Sequence, residues 1–244
     1  KMSLPRQLVL SNDSINRIIS YEIGAEFPGD LRYYNRFCIM PHWPGVHSGV
    51  TFGIGYDAGY VNARQIREDW GGLVSPNHIA YMLSVVGLTG NRAKAAITAN
   101  ARQLRFPYES SKEVFVKKLP TYCRMALTAY PDLPKLNPYA RGIIVGLIFN
   151  RGNDLVDNTP NEIRERRRAE MAAIRPLIAR EDYAGIATQL RSMRRLWDGV
   201  PDFPGDNEQR SNGLLRRRED EAVAILESVQ MIIRAEDLRT ISLA

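Results

Sequence analysis

Two carboxyl groups and one hydroxyl stand out for what they could do together. Glu22 closes the segment Ser20-Tyr21-Glu22. The later run from Trp43 to Asp57 then sets Thr51 and Asp57 on a hairpin punctuated by Gly49, Gly53 and Gly55. A carboxyl that donates a proton, opposed by a second that activates water, is what cleavage of a glycosidic bond requires. A threonine hydroxyl is both donor and acceptor and so can hold that water. Each residue also has a plainer reading. Glu22 fits a surface glutamate beside an inward-packed Tyr21, Thr51 a β-branched strand residue, and Asp57 the cap of a turn before Ala58-Gly59. Glu26, in the departing loop, is the local rival for the acid, and His47 a substitute base.

The elements that must position these groups read as follows. Ile15, Ile18, Ile19 and Ile23 recur at helical spacing, which predicts a first helix over 12–24 after a leader of residues 1–11. Glu22 then falls on the last turn, where unpaired carbonyls favour a neutral acid. Residues 25–62 lose helical periodicity and predict a small β lobe. There Thr51 shares a strand face with Gly53 and Gly55, whose missing side chains leave room for a ligand. Residues 63–244 form the helical remainder. Ser75-Pro76 opens a helix to Val86, and a second runs from Asn91 to Arg102. Ser110 and Glu113 form a capping box before a helix that Pro120 interrupts. Asn137-Pro138 precedes an apolar central helix, followed by helices over 170–179, 182–196 and 213–234, with a loop at 197–212. The expected fold is thus α+β, mostly helical, as a single domain of two lobes with a cleft between them.

The chain has 244 residues, 44% of them hydrophobic, enough for a substantial core without disulfides. No apolar run approaches the ~20 residues that span a bilayer, and the start lacks a signal-like block, so membrane insertion is not expected and delivery falls to other machinery or a larger protein. Lys and Arg exceed Asp and Glu by 33 to 27, a net +6, which suits a polyanionic partner. The Arg-rich runs 164–168 and 216–218 are interleaved with acids, as on solvated helix faces. Aromatics interleaved with basic residues, or a docking motif, would mark a nucleic-acid reader; neither is found, and no nucleic-acid partner is expected. Cys38 and Cys123 have no metal spacing and are expected to be free thiols. The three histidines form no metal motif, and neither metal nor other cofactor is implied.

The segments Ser20-Tyr21-Glu22, Trp43-Pro44-Gly45 and Ser48 through Asp57 resemble the active-site region of lysozyme-like muramidases of the phage-type lysozyme and pesticin group. Leu147-Ile148-Phe149-Asn150-Arg151-Gly152 resembles that group's central-helix motif. Gly213-Leu214, Arg217-Arg218 and Glu221-Ala222 resemble its late arginine element. The resemblance implies a lysozyme-like fold and hydrolysis of the bond between N-acetylmuramic acid and N-acetylglucosamine in bacterial peptidoglycan. It makes Glu22 the general acid, Thr51 the holder of water and Asp57 the base, since Gly45 to Val50 holds no carboxylate. Inversion is expected if the two carboxyls stand about 6.5–9.5 Å apart. Ser48, Tyr56, Asn150, Arg151 and Arg217 become substrate contacts, although Asn150 and Arg151 equally fit a helix end before Gly152 and Arg217 a solvated arginine.

The resemblance further implies a monomer acting in the periplasm or at the wall of a target bacterium, as an endolysin or antibacterial toxin or effector with a possible immunity protein. The competing readings are a catalytically silent wall-binding module of the same fold, a lytic transglycosylase needing no Asp57 base, and a helical nucleic-acid-binding domain.

Overall fold

A computed structural model describes residues 5–45, 47–199 and 213–244. The order is β1 (Gln7–Ser11), α1 (Asn12–Glu22), a π-helical turn (Tyr34–Cys38), β2 (Thr51–Phe52), β3 (Tyr56–Asp57), α2 (Ala63–Trp70), α3 (Pro76–Ser84), α4 (Gly90–Ala96) and α5 (Tyr108–Val116). There follow α6 (Leu119–Ala129), α7 (Pro138–Arg151), α8 (Pro160–Glu165), α9 (Ala169–Ala179), α10 (Tyr183–Ser192), α11 (Gly213–Ser228) and β4 (Leu238–Ser242). The protein is α+β and mostly helical. Contacts divide it into two compact units, Ile19–Leu119 and Lys1–Ile18 with Pro120–Ala244. These boundaries differ from the 62/63 division expected from the sequence.

In the first unit a hydrophobic core gathers Val50, Phe52, Tyr56, Ile66, Trp70, Met82, Phe106 and Val114. The ring of Trp70 meets Tyr56 and Phe106 edge to face, with centroids 5.5 and 5.4 Å apart, a favoured arrangement of aromatic quadrupoles. The expected β lobe over 25–62 is mostly loop. Among the described residues its strands are limited to β2 and β3, joined through Gly53-Ile54-Gly55, where Gly53 and Gly55 take φ of 53° and 65°. That left-handed conformation suits glycine and fits a three-residue hairpin loop. Helix α2 was not expected: only Ile66 and Trp70 of its eight residues are buried, too few for a periodic signal. Helix α4 stops at Ala96 rather than 102, and Thr98 Oγ1 instead accepts from the Ala101 amide, a local bond that competes with helix. Ser110 is no cap. It lies inside α5 and donates to Leu73 O.

In the second unit the expected leader contains a strand, with β1 pairing antiparallel to β4 from Gln7↔Ser242 to Ser11↔Leu238. Pro120 stands at the start of α6, where a missing N–H costs nothing. Asn137 caps α7 by accepting from the Ala140 amide, and α7 is buried from Tyr139 to Ile148 apart from Arg141. A side chain at Gly142 would collide with Ser14, and one at Gly146 would press on Ile18, so α1 approaches these positions closely. Helix α8 was missed despite its Thr159–Glu162 capping box, and α11 ends at Ser228 rather than 234. Of the expected loop 197–212, residues 200–212 lie outside the described residues.

Candidate functional site

The hairpin fixes Thr51 from both sides. Its backbone exchanges two hydrogen bonds with His42, at 2.8 and 3.1 Å, while the Ala58 amide donates to Val50 O. Thr51 and Asp57 are therefore directly opposed across β2 and β3 as a non-hydrogen-bonded pair, the arrangement that brings side chains closest. Thr51 is 3% exposed, and its Oγ1 donates to Gly49 O over a long 3.4 Å. Only half of the expected open face beside it is found: a side chain at Gly53 would run into Ser111, whereas the place beside Gly55 is open.

Asp57 is half-buried and closes the loop that leads into the hairpin. Its two carboxylate oxygens accept from the Gly49 amide at 3.0 and 3.1 Å, and Oδ1 also accepts from the Gly59 amide at 2.8 Å. The capping reading is thus realised, since the bond from the Gly59 amide caps the 3-10 turn Ala58–Tyr60. A side chain at Gly49 would occupy the place of Oδ1, which accounts for the glycine. A carboxylate offers about four acceptor sites. Two backbone amides engage it, that of Gly49 shared between both oxygens, which leaves room for water.

Glu22 is the last residue of α1, and Gly24 with φ of 62° ends the helix. Ile19 and Ile23 are buried whereas Glu22 is exposed, so the partly dry surroundings expected for it are not found. What links it to the hairpin is Lys118, a residue the sequence reading passed over. The charges of Asp69, Glu22 and Asp57 all act on Lys118 and raise its pKa, while burial, the larger effect, lowers it. Its Nζ stands 5.1 Å from the centroid of the Tyr56 ring, within cation–π range. Neighbouring Lys117 ties the same stretch to α2 by donating to Asp69 O at 2.5 Å and Glu68 O at 3.2 Å, a favourable cation at a helix C-terminus. A Lys-Lys pair before proline gives no hint of this in sequence, because the three acids reach Lys118 only through the fold.

The other expected contacts divide. Ser48 is half-buried on the loop before the hairpin, and its carbonyl accepts from Trp43 Nε1 and the Gly90 amide, each at 3.0 Å. Tyr56 is not available to a substrate. It is 1% exposed, and its hydroxyl donates to Asp69 Oδ2 at 2.7 Å. Asn150, Arg151 and Arg217 belong to the other unit. There Asn150 is exposed. Arg151 donates to Arg167 O and stacks over Trp197 at 5.1 Å, with burial and nearby Arg168, Arg218 and Arg167 bringing its pKa down to about 10. Arg217, 7% exposed rather than solvated, donates to Glu221 and to Gly146 O.

Cys38 and Cys123 are free and buried, and burial pushes their thiols up to about 11 and about 12, away from reactive thiolates. Among the described residues no group of three or more His, Cys, Asp or Glu comes together to hold a metal, and no helix is long and apolar enough to cross a membrane.

A family model described as a domain of unknown function (DUF8812) matches residues 19–204, and the chain belongs to that family. The match includes Glu22, Thr51, Asp57 and Lys118 but ends before Arg217. No curated protein matches the chain.

Proposed function

We propose that the protein is a lysozyme-like, two-lobed peptidoglycan hydrolase that cleaves the N-acetylmuramic acid to N-acetylglucosamine bond and acts at a bacterial wall as an endolysin or antibacterial effector. The observation that carries this reading is Lys118. Glu22 and Asp57, far apart in sequence, both act on its charge, and Thr51 stands opposite Asp57. In this reading Glu22 protonates the leaving glycosidic oxygen, and a bound sugar strand supplies the exclusion of water that the free protein lacks. Thr51 Oγ1 and the Asp57 carboxylate hold the water. Asp57 takes its proton as the water attacks from the opposite face and the anomeric configuration inverts. Lys118 offsets the charge that Asp57 retains until then. The net charge of +6 suits an anionic wall.

One observation favours a second reading. Both carboxylate oxygens of Asp57 accept from backbone amides, which is a scaffolding arrangement. A lytic transglycosylase needs only the acid, because the sugar's own hydroxyl closes an anhydro ring. End-group analysis of muropeptides released from purified sacculi separates the two. Reducing N-acetylmuramic acid ends are expected; anhydromuramyl ends would replace hydrolysis by transglycosylation, and no release by the wild-type protein would sink both enzymes and leave a wall-binding module.

A further inference from the structure

The segment just after Glu22 is built with more order than a connecting loop requires. Phe27-Pro28-Gly29-Asp30 closes a turn by the Asp30 amide donating to Phe27 O at 3.1 Å, with Gly29 at φ of 86°. Proline second and glycine third is what a type II turn demands. Asp30, 8% exposed, accepts from the backbone amides of Glu26 and Arg32 and from the Arg32 guanidinium, and the Arg32 fork lowers its pKa well below the usual carboxylate range. Next, Tyr34 is anchored inward by hydrogen bonds to Phe106 O and Ser111 Oγ, and Cys38 is buried one turn on.

That anchoring holds the opposite face outward. Tyr33 and Phe37 are 47% and 44% exposed, with ring centroids 4.8 Å apart. Tyr33 lies over Gly24, two residues beyond Glu22, at 3.8 Å from where a side chain there would begin. Arg36 stacks on Phe37 at 5.0 Å. Arginine and aromatics do interleave here, contrary to the sequence reading. The charges are unlike those of a nucleic-acid reader, however: Arg32 is matched by Glu26 and Asp30, and only Arg36 of this face lacks an ion pair among the described residues. One open cation beside aromatic rings suits a mostly uncharged sugar strand with spaced carboxylates better than a strand with a phosphate on every unit.

We propose that Tyr33 and Phe37, with Arg36 at their edge, form a glycan subsite beside Glu22: the rings take the apolar faces of pyranose rings and Arg36 takes a carboxylate of the peptidoglycan strand. This rests on the muramidase reading for its substrate class. Rigid exposed aromatics bind without first being ordered, so most of their contact area counts toward affinity.

The test is co-sedimentation with purified sacculi in a Glu22→Gln background, so that binding is read without cleavage. Adding Tyr33→Ala with Phe37→Ala should raise the half-saturating sacculus concentration at least about tenfold, whereas Tyr33→Phe with Phe37→Tyr should bind like the parent. Arg36→Glu, a change at an exposed residue that leaves both rings in place, should weaken binding and flatten its salt dependence. Unaltered binding by the double alanine variant with its melting transition intact, or no binding by the parent, would overturn the subsite. So would aromatic-dependent binding of single-stranded DNA that sacculi fail to displace. Aromatic-dependent pelleting with no product from the wild-type protein would keep the subsite and remove the muramidase; wild-type product with unchanged half-saturation in the double variant would do the reverse.

Discussion

The two compact units hold their candidate site residues in opposite ways. In Lys1–Ile18 with Pro120–Ala244, buried acids are locked to arginines. Glu221, 1% exposed, accepts from Arg217 at 3.0 Å and from Arg218 at 2.8 Å, and Glu170 takes a two-bond fork from Arg195 at 2.6 and 3.0 Å. In Ile19–Leu119, Glu22 is exposed and Asp57 half-buried, and both act on one lysine. Buried, paired charges are structural, because removing one strands the other in a poor solvent. Acids kept nearer to water stay open to a ligand. The contrast assigns Arg217 to the framework, although its spacing in sequence suited a substrate contact.

The sharpest way to break that comparison is at Glu221. Glu221→Ala leaves Arg217 and Arg218 without their shared carboxylate, and urea unfolding should show a loss of about 3–5 kcal/mol; a change within about 0.5 kcal/mol, typical of a surface site, would erase the distinction between units. Asp57 comes next, since it belongs to both categories. Asp57→Ala should cost about 2–4 kcal/mol through the Gly49 and Gly59 amides it leaves unpaired. Asp57→Asn, which keeps one acceptor oxygen, should recover part of that stability but not wall-degrading activity, and recovery of both would confine Asp57 to scaffolding. Lys118→Met, which removes the cation that Asp69, Glu22 and Asp57 all act on, should lower muropeptide release several-fold with the melting transition retained. Unchanged release would separate Lys118 from the chemistry.

The smallest expected effect concerns the one thiol in each unit. Folding raises Cys38 and Cys123 from 9.0 to about 11 and about 12. The unfolded chain therefore loses these protons first as pH rises. The stability involved is complete below pH 9 and disappears progressively as pH climbs through the folded values. Each thiol should cost about 1 kcal/mol by pH 10, visible as a fall in Tm that Cys38→Ala and Cys123→Ala each reduce. A fall confined to one variant would show that only one unit stays closed at high pH.

Local signals carried the sequence reading furthest. Asn137-Pro138 and the apolar run behind it marked α7 because cap, proline and burial all lie within fourteen residues. The glycine-punctuated hairpin marked the Thr51 and Asp57 pair for the same reason. Features made by distant partners were hidden. Strands β1 and β4 pair opposite ends of the chain, Ser110 answers to Leu73 rather than to its own helix, and Lys118 matters only through acids the fold delivers. Glycine was the most ambiguous letter: Gly53 reads as space for a ligand until Ser111 is seen to fill it.

The central claim is that Glu22 protonates a glycosidic bond in peptidoglycan. Release of muropeptides from purified sacculi by wild type and by Glu22→Gln, at matched concentration and with melting transitions recorded, tests it most directly. The account predicts a Glu22→Gln rate lower by roughly 10²–10⁴-fold, the usual worth of a positioned proton donor, with Tm unchanged because the residue is exposed. Equal release by the two proteins would contradict it.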